Sequence, residues 1–275
     1  MRRKILVLDI DGTLTNGEKK ITQKTRESIL EAQKQGHIVV LASGRPDGGM
    51  KPYEEELELG KYGGYLLPFI GARIIECSTG KVLHQKLLSP QMIPDLCDYI
   101  RDKECGLMTY SDEAILSARI PDEYIELDTR VNRIPAIVMD DFLECMNLSI
   151  NKCLVTARPQ LAEQYEKELA IRYAGRAMVF RSEPFYVEIM PQGVDKATAL
   201  ERMLEILGLC REDMICCGDG YNDVSMIRYA GLGVAMGNAR EPVKEAADYI
   251  TGTNEEDGVA RVVRKFMLKG ESYEN

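Results

Sequence analysis

Short uninterrupted apolar runs alternate along the chain with stretches of helical periodicity. Residues 4–10, KILVLDI, form the first run, which is cut off by acid at Asp9 and Asp11. A run without polar alternation suits a strand buried on both faces, as in a parallel sheet. Ile29, Leu30 and Ala32 then give one apolar side to a helix predicted from Thr22, its N-cap, to Gln35, with Gly36 as its stop. Residues 37–41, HIVVL, predict a second strand, so the opening follows βαβ grammar with a right-handed crossover. Tyr65–Ile75 predicts a third strand, in which Pro68 demands an edge position or a bulge. Strand runs return at 185–190, 214–217, 233–236 and 249–251, with an amphipathic helix over 196–207 and a shorter one over 223–230. Both ends of the chain therefore share one alternating pattern, and the fold class it predicts is α/β.

The middle of the chain breaks this rhythm. Residues 82–184 hold paired helix and strand candidates, such as 90–102, 152–156 and 160–172, with fewer glycines and no acidic strand ends. The expected organisation is a core of 1–81 and 185–275 interrupted by an inserted α+β domain of 82–184. The polar tail, 269–275, is expected to fray.

Composition narrows the function classes. The chain has 275 residues, 45% of them hydrophobic and 29% charged, a globular balance, and its net charge is −9. That charge removes bulk attraction to nucleic acid or anionic membrane, and the absence of Trp removes an obvious stacking platform for single strands. No apolar run approaches the roughly 20 residues of a membrane span. Met1-Arg2-Arg3-Lys4 opens like a secretion signal, but the apolar run behind it stops at Asp9, so a cytoplasmic location is expected. The eight cysteines form no CxxC pair and the two histidines lie far from them, which points to reduced thiols rather than zinc or disulfides.

Three candidate chemical sites follow directly after predicted strands, where open parallel sheets bind ligands. Asp9 and Asp11 stand two apart, and Gly12 lets the chain turn so that both carboxylates face one small site. Like charges that close need a cation, for which hard Mg²⁺ is suited, or one must hold a proton. Taken alone, acids also simply mark strand ends. Ser43-Gly44-Arg45 offers a hydroxyl and a backbone N–H to phosphate, although Ser-Gly is also a common turn. Arg45 suits either a substrate anion or a structural acid. Gly218-Asp219-Gly220-Tyr221-Asn222-Asp223 brings two more carboxylates as a helix opens. An EF-hand spacing is not met there, and an Asp-rich N-cap explains only part of the run. Lys196, at the start of its helix, suits a solvated face in isolation and a phosphate counter-charge in this company.

In this order, Asp9-x-Asp11-Gly12-Thr13, Ser43-Gly44-Arg45, Lys196 and GDGYND resemble the four motifs of the haloacid dehalogenase (HAD) superfamily. The chain is similar in particular to its Cof-type phosphatases with a type IIB cap. The similarity covers about 1–80 and 180–263. Two positions depart from the group: Ile70 stands where relatives commonly have Asn, and Asp195 where they often have Ser. The resemblance implies a Rossmann-like core with an inserted cap domain that selects substrate.

It also implies roles. Asp9 is the expected nucleophile, forming an aspartyl-phosphate, and Asp11 the expected acid/base, whose backbone carbonyl also binds metal. Asp219, with Asp223 as ligand or supporting partner, would complete a Mg²⁺ site with Asp9 and Asp11. Gly12, Thr13, Ser43, Gly44, Arg45, Lys196 and Asn222 would contact phosphate or substrate. The implied activity is hydrolysis of small phosphorylated metabolites, sugar phosphates foremost, by a monomer or homodimer. Asp11 separates this group from P-type ATPases, which resemble it but carry Thr at that spacing. A phosphomutase using the same aspartate pair, or a non-catalytic phospho-acceptor or metal-binding module, remain the competing expectations.

Overall fold

The computed structural model describes residues 3–268, which form two compact units; the expected frayed tail, 269–275, lies outside them. Of the described residues the first comprises 3–44, 50–84 and 195–268, and the second 45–49 and 85–194. The first unit is built on an eight-stranded sheet. Its strands are β1 (Ile5–Leu8), β2 (Ile38–Ala42), β3 (Tyr65–Leu67), β4 (Arg73–Glu76), β5 (Lys81–Gln85), β12 (Met214–Gly218), β13 (Leu232–Ala235) and β14 (Tyr249–Ile250), in the order β14-β13-β12-β1-β2-β3-β4-β5. β1 pairs in parallel with β2 on one side and β12 on the other. Strand order reverses there, which opens a crevice at the strand ends. Every residue of β1, β2 and β12 is buried, which is why these runs show no polar alternation.

The helices obey local signals. Thr22 caps Gln23–Lys34 by accepting from the Thr25 N–H, and Gly36 leaves that helix with φ +87°. Asp195 caps Lys196–Leu207 by accepting from the backbone of Ala197 and Thr198, so the acid at this departing position has a clear structural task.

The expected third strand over 65–75 is corrected. Pro68 divides it into β3 and β4, which pair antiparallel around a tight turn. In that turn Phe69 (φ +52°), Ile70 (φ +58°) and Gly71 (φ +91°) are all left-handed, a conformation that a β-branched residue strongly resists.

The second unit carries a six-stranded sheet made of β6 (Gly106–Tyr110), β7 (Ile115–Ser117), β8 (Ala136–Val138), β9 (Cys153–Thr156), β10 (Ala177–Glu183) and β11 (Tyr186–Pro191), in the order β10-β11-β9-β6-β7-β8. Only its β7/β8 pair is parallel. Its own apolar core gathers Leu96, Leu107, Val155, Leu169 and Ile189. The expected boundary at 185 moves. β11 pairs antiparallel with β9 and β10, so the chain re-enters the first unit at Asp195. A fully buried apolar strand reads alike in either sheet, and only the hairpin with β10 assigns it.

Candidate active site

β1 delivers Asp9 to its carboxyl end, where the Asp9 N–H donates to Cys217 O at 3.1 Å. β12 delivers Gly218-Asp219 beside it. Tyr221–Asp223, a single 3₁₀ turn, then brings Asp223 back toward the strand. Ligand oxygens of Asp9, Asp219 and Asp223 all lie within 4.8 Å of one another. Lys196, the first residue of its helix, is fully buried. Its Nζ donates to Asp9 Oδ1 at 2.6 Å and to Asp223 Oδ1 at 2.6 Å.

Each supporting contact has a discernible job. Asp223 Oδ2 accepts from the N–H groups of Asp219 (3.0 Å) and Gly220 (2.9 Å), so this carboxylate both holds the lysine and ties down the loop. Thr13 Oγ1 donates to Asp219 Oδ1 at 2.8 Å. Gly12 has φ +86°, and a Cβ there would come within 2.4 Å of Asp219 Oδ2, so two constraints exclude a side chain at this position. Asn238 Nδ2 donates to Gly12 O at 2.8 Å and steadies the same turn.

The electrostatics follow from burial. Burial pushes the Asp9 carboxyl well above its ordinary range, helped by the charge of Asp223 and opposed by Lys196. Burial raises Asp219 to about 6, against its bond from Thr13. Burial works against the charge on Lys196, yet Asp223 and Asp9 overcome it and its pKa is raised above that of an ordinary lysine. The oxygens of three carboxyl groups gathered this closely, with Asp9 and Asp219 both made reluctant to ionise alone, form an oxygen-only donor set that fits a hard divalent cation.

The remaining sequence candidates divide. Ser43 is buried at the end of β2; its N–H donates to Leu67 O at 3.0 Å and its carbonyl accepts from Ile70 N at 2.8 Å. Gly44 follows it in the same unit. Asp11 follows Asp9 in the turn, but its carboxylate is not one of the three clustered ones; its Oδ1 accepts from Lys19 Nζ at 2.7 Å. Asn222 is exposed. Arg45 is buried and groups with the second unit, where its guanidinium donates to Val131 O at 2.7 Å. Sequence reasoning missed Lys19 and Asn238. An exposed lysine in a charged loop carries no pattern, and an asparagine acting over a separation of 226 residues carries none either.

A mainly parallel sheet with a carboxylate cluster and a buried lysine at its switch point, interrupted by an inserted α+β unit, defines a class of α/β hydrolytic enzymes. Residues 6–263 match the family of haloacid dehalogenase-like hydrolases, and the chain belongs to that family. It is 42% identical to a haloacid dehalogenase-like hydrolase from Bacteroides thetaiotaomicron, whose crystal structure superposes with a TM-score of 0.93 over 96% of this chain and 99% of that one. The HAD subclass IIB sugar phosphatase BT4131 is 26% identical, with a TM-score of 0.79 over 96% and 98% of the two chains. The 5-amino-6-(5-phospho-D-ribitylamino)uracil phosphatase YcsE of Bacillus subtilis (strain 168) is 31% identical over 96% of each chain. Among the described residues no helix is long and apolar enough to cross a membrane.

Proposed function

We propose that this chain is a Mg²⁺-dependent phosphatase of small phosphorylated metabolites, sugar phosphates foremost, acting through an aspartyl-phosphate on Asp9. One observation carries the reading: a fully buried Lys196 held at 2.6 Å from Asp9, inside a cluster of three carboxylates. The sugar phosphatase and the ribitylaminouracil phosphatase among its relatives support the substrate class. In this reading the inserted unit is the cap that selects substrate.

Asp9 attacks phosphorus while the bond to the leaving oxygen breaks, and Asp11 gives that oxygen its proton. Water then attacks the phosphorus of the aspartyl-phosphate as Asp11 takes a proton from it. Inorganic phosphate leaves and the Asp9 carboxylate is restored. Lys196 and Ser43 hold phosphoryl oxygens and offset the charge that builds on them. Asp9, Asp219 and the Asp11 carbonyl would hold Mg²⁺, with Asp223 as a further ligand or as their support. The ion supplies the positive charge that lets a carboxylate approach a phosphate dianion.

A screen of phosphorylated sugars, nucleotides and cofactors with Mg²⁺ tests the reading by phosphate release. Asp9→Asn and Asp11→Asn are each expected to lose nearly all turnover on any substrate so found. Turnover retained by purified Asp9→Asn would overturn the nucleophile assignment, and conversion of a hexose 1-phosphate to its isomer would mark a mutase instead.

A further inference from the structure

Lys19 is a non-glycine residue in the left-handed region, with φ +59°. Such backbone strain persists only where surrounding contacts over-determine it, and here they do. The Asn16 N–H donates to Lys20 O at 3.0 Å and the Lys19 N–H to Asn16 O at 2.9 Å. Asn16 Oδ1 accepts from the N–H groups of Glu18 and Lys20 at 3.1 and 3.0 Å. Gly17 N–H donates to Glu255 Oε1 at 2.6 Å, and Asn254 Nδ2 to Thr15 O at 2.9 Å, so the turn is anchored to a distant stretch of the same unit. The strained backbone aims one side chain: Lys19 Nζ lies 2.7 Å from Asp11 Oδ1.

We propose that Lys19 is a positioning residue for the reaction, holding the Asp11 carboxyl group through Oδ1 in the orientation from which it gives its proton to the departing oxygen. The inference rests on the phosphatase reading given above. The ion pair is half-exposed, with side chains 50% and 36% accessible, and pairs of that kind add little to folding stability. Its loss therefore leaves the fold standing and shows in the chemistry.

Proton delivery matters for a poor leaving group and hardly at all for a good one. The test compares kcat/KM, which reports the steps through leaving-group departure, for an alkyl phosphate and for p-nitrophenyl phosphate. The full-length wild type, Lys19→Met and Lys19→Arg are assayed at matched folded fraction. Lys19→Met is expected to lose about tenfold on the alkyl ester and less than about twofold on the aryl ester, with Lys19→Arg recovering most of the loss. Equal losses on both esters, or none on either, would overturn the positioning role while leaving the phosphatase reading intact. A wild type that releases phosphate from neither these esters nor any metabolite screened would sink both.

Discussion

Two buried lysines, one in each unit, separate chemistry from architecture. Lys196 meets Asp9 and Asp223 at 2.6 Å each, at the ends of parallel strands, with Asp219 alongside. Lys152, just before β9, meets Glu188 of β11 at 3.5 Å and lies 5.2 Å from the centre of the Tyr110 ring. Glu188 Oε2 is buried with no hydrogen-bond partner among the described residues. Lys196, Asp9, Asp223, Lys152 and Glu188 are all buried, so burial alone does not distinguish the two places. The close gathering of three carboxylates, two of them bonded to the ammonium, does. Such a cluster calls for a cation, whereas Lys152 pairs with Glu188 beside the Tyr110 ring.

Substituting each lysine sharpens that contrast most. Lys196→Met is expected to cut phosphate release by about 10²–10³-fold, read by steady-state assay, because the transferring group loses its fixed positive charge. Lys152→Met leaves Glu188 buried opposite an apolar group and is expected to cost about 3 kcal/mol in urea unfolding. The double variant Lys152→Met/Glu188→Met should recover most of that loss. A hydrophobic replacement that preserved turnover at Lys196 would erase the distinction.

A smaller effect comes from Asp219. Its carboxyl ionises near 6 in the folded chain against 3.8 ordinarily, so the folded state holds the proton more tightly than the unfolded one. Metal-free protein should then lose stability as pH rises from about 4 through about 6. Since the ionised form binds cations, Mg²⁺ affinity by titration calorimetry should be about tenfold weaker at about pH 5 than at about pH 7, with proton release on binding. The smallest effect concerns Ile70. Asn tolerates the left-handed region where a β-branched residue does not, so Ile70→Asn should stabilise the protein by about 1 kcal/mol in urea unfolding.

How far the sequence could be read depended on the range of the interaction. Gly12, Thr22, Gly36 and Asp195 act on neighbours within a few residues, and their positions announce the turns and caps they make. Asp9 and Asp219 were legible because strand ends in a parallel sheet gather on one side, whereas Lys196, at a helix start, stood out only through its order among the other motifs. Tyr186–Pro191 misled because burial on both faces looks the same in either sheet. Pro68 marked an interruption, but an interruption does not say whether the chain bends or reverses. The bond from Arg45 to Val131 O was not legible, because a backbone acceptor leaves no trace in composition. Asn222 held its place in the motif, yet its side chain ended up exposed.

By itself the sequence determined the α/β alternation, the insertion and the set of acids and the lysine available for chemistry, because apolar periodicity and short-range turns are local properties. Only the tertiary structure decided that Asp223 spends one oxygen on Lys196 and the other on its own loop, that Thr13 serves Asp219, and that Lys19 reaches Asp11. Those pairings depend on distances between segments far apart in the chain, or on a backbone strain that surrounding contacts impose, and neither is encoded in any single stretch of residues.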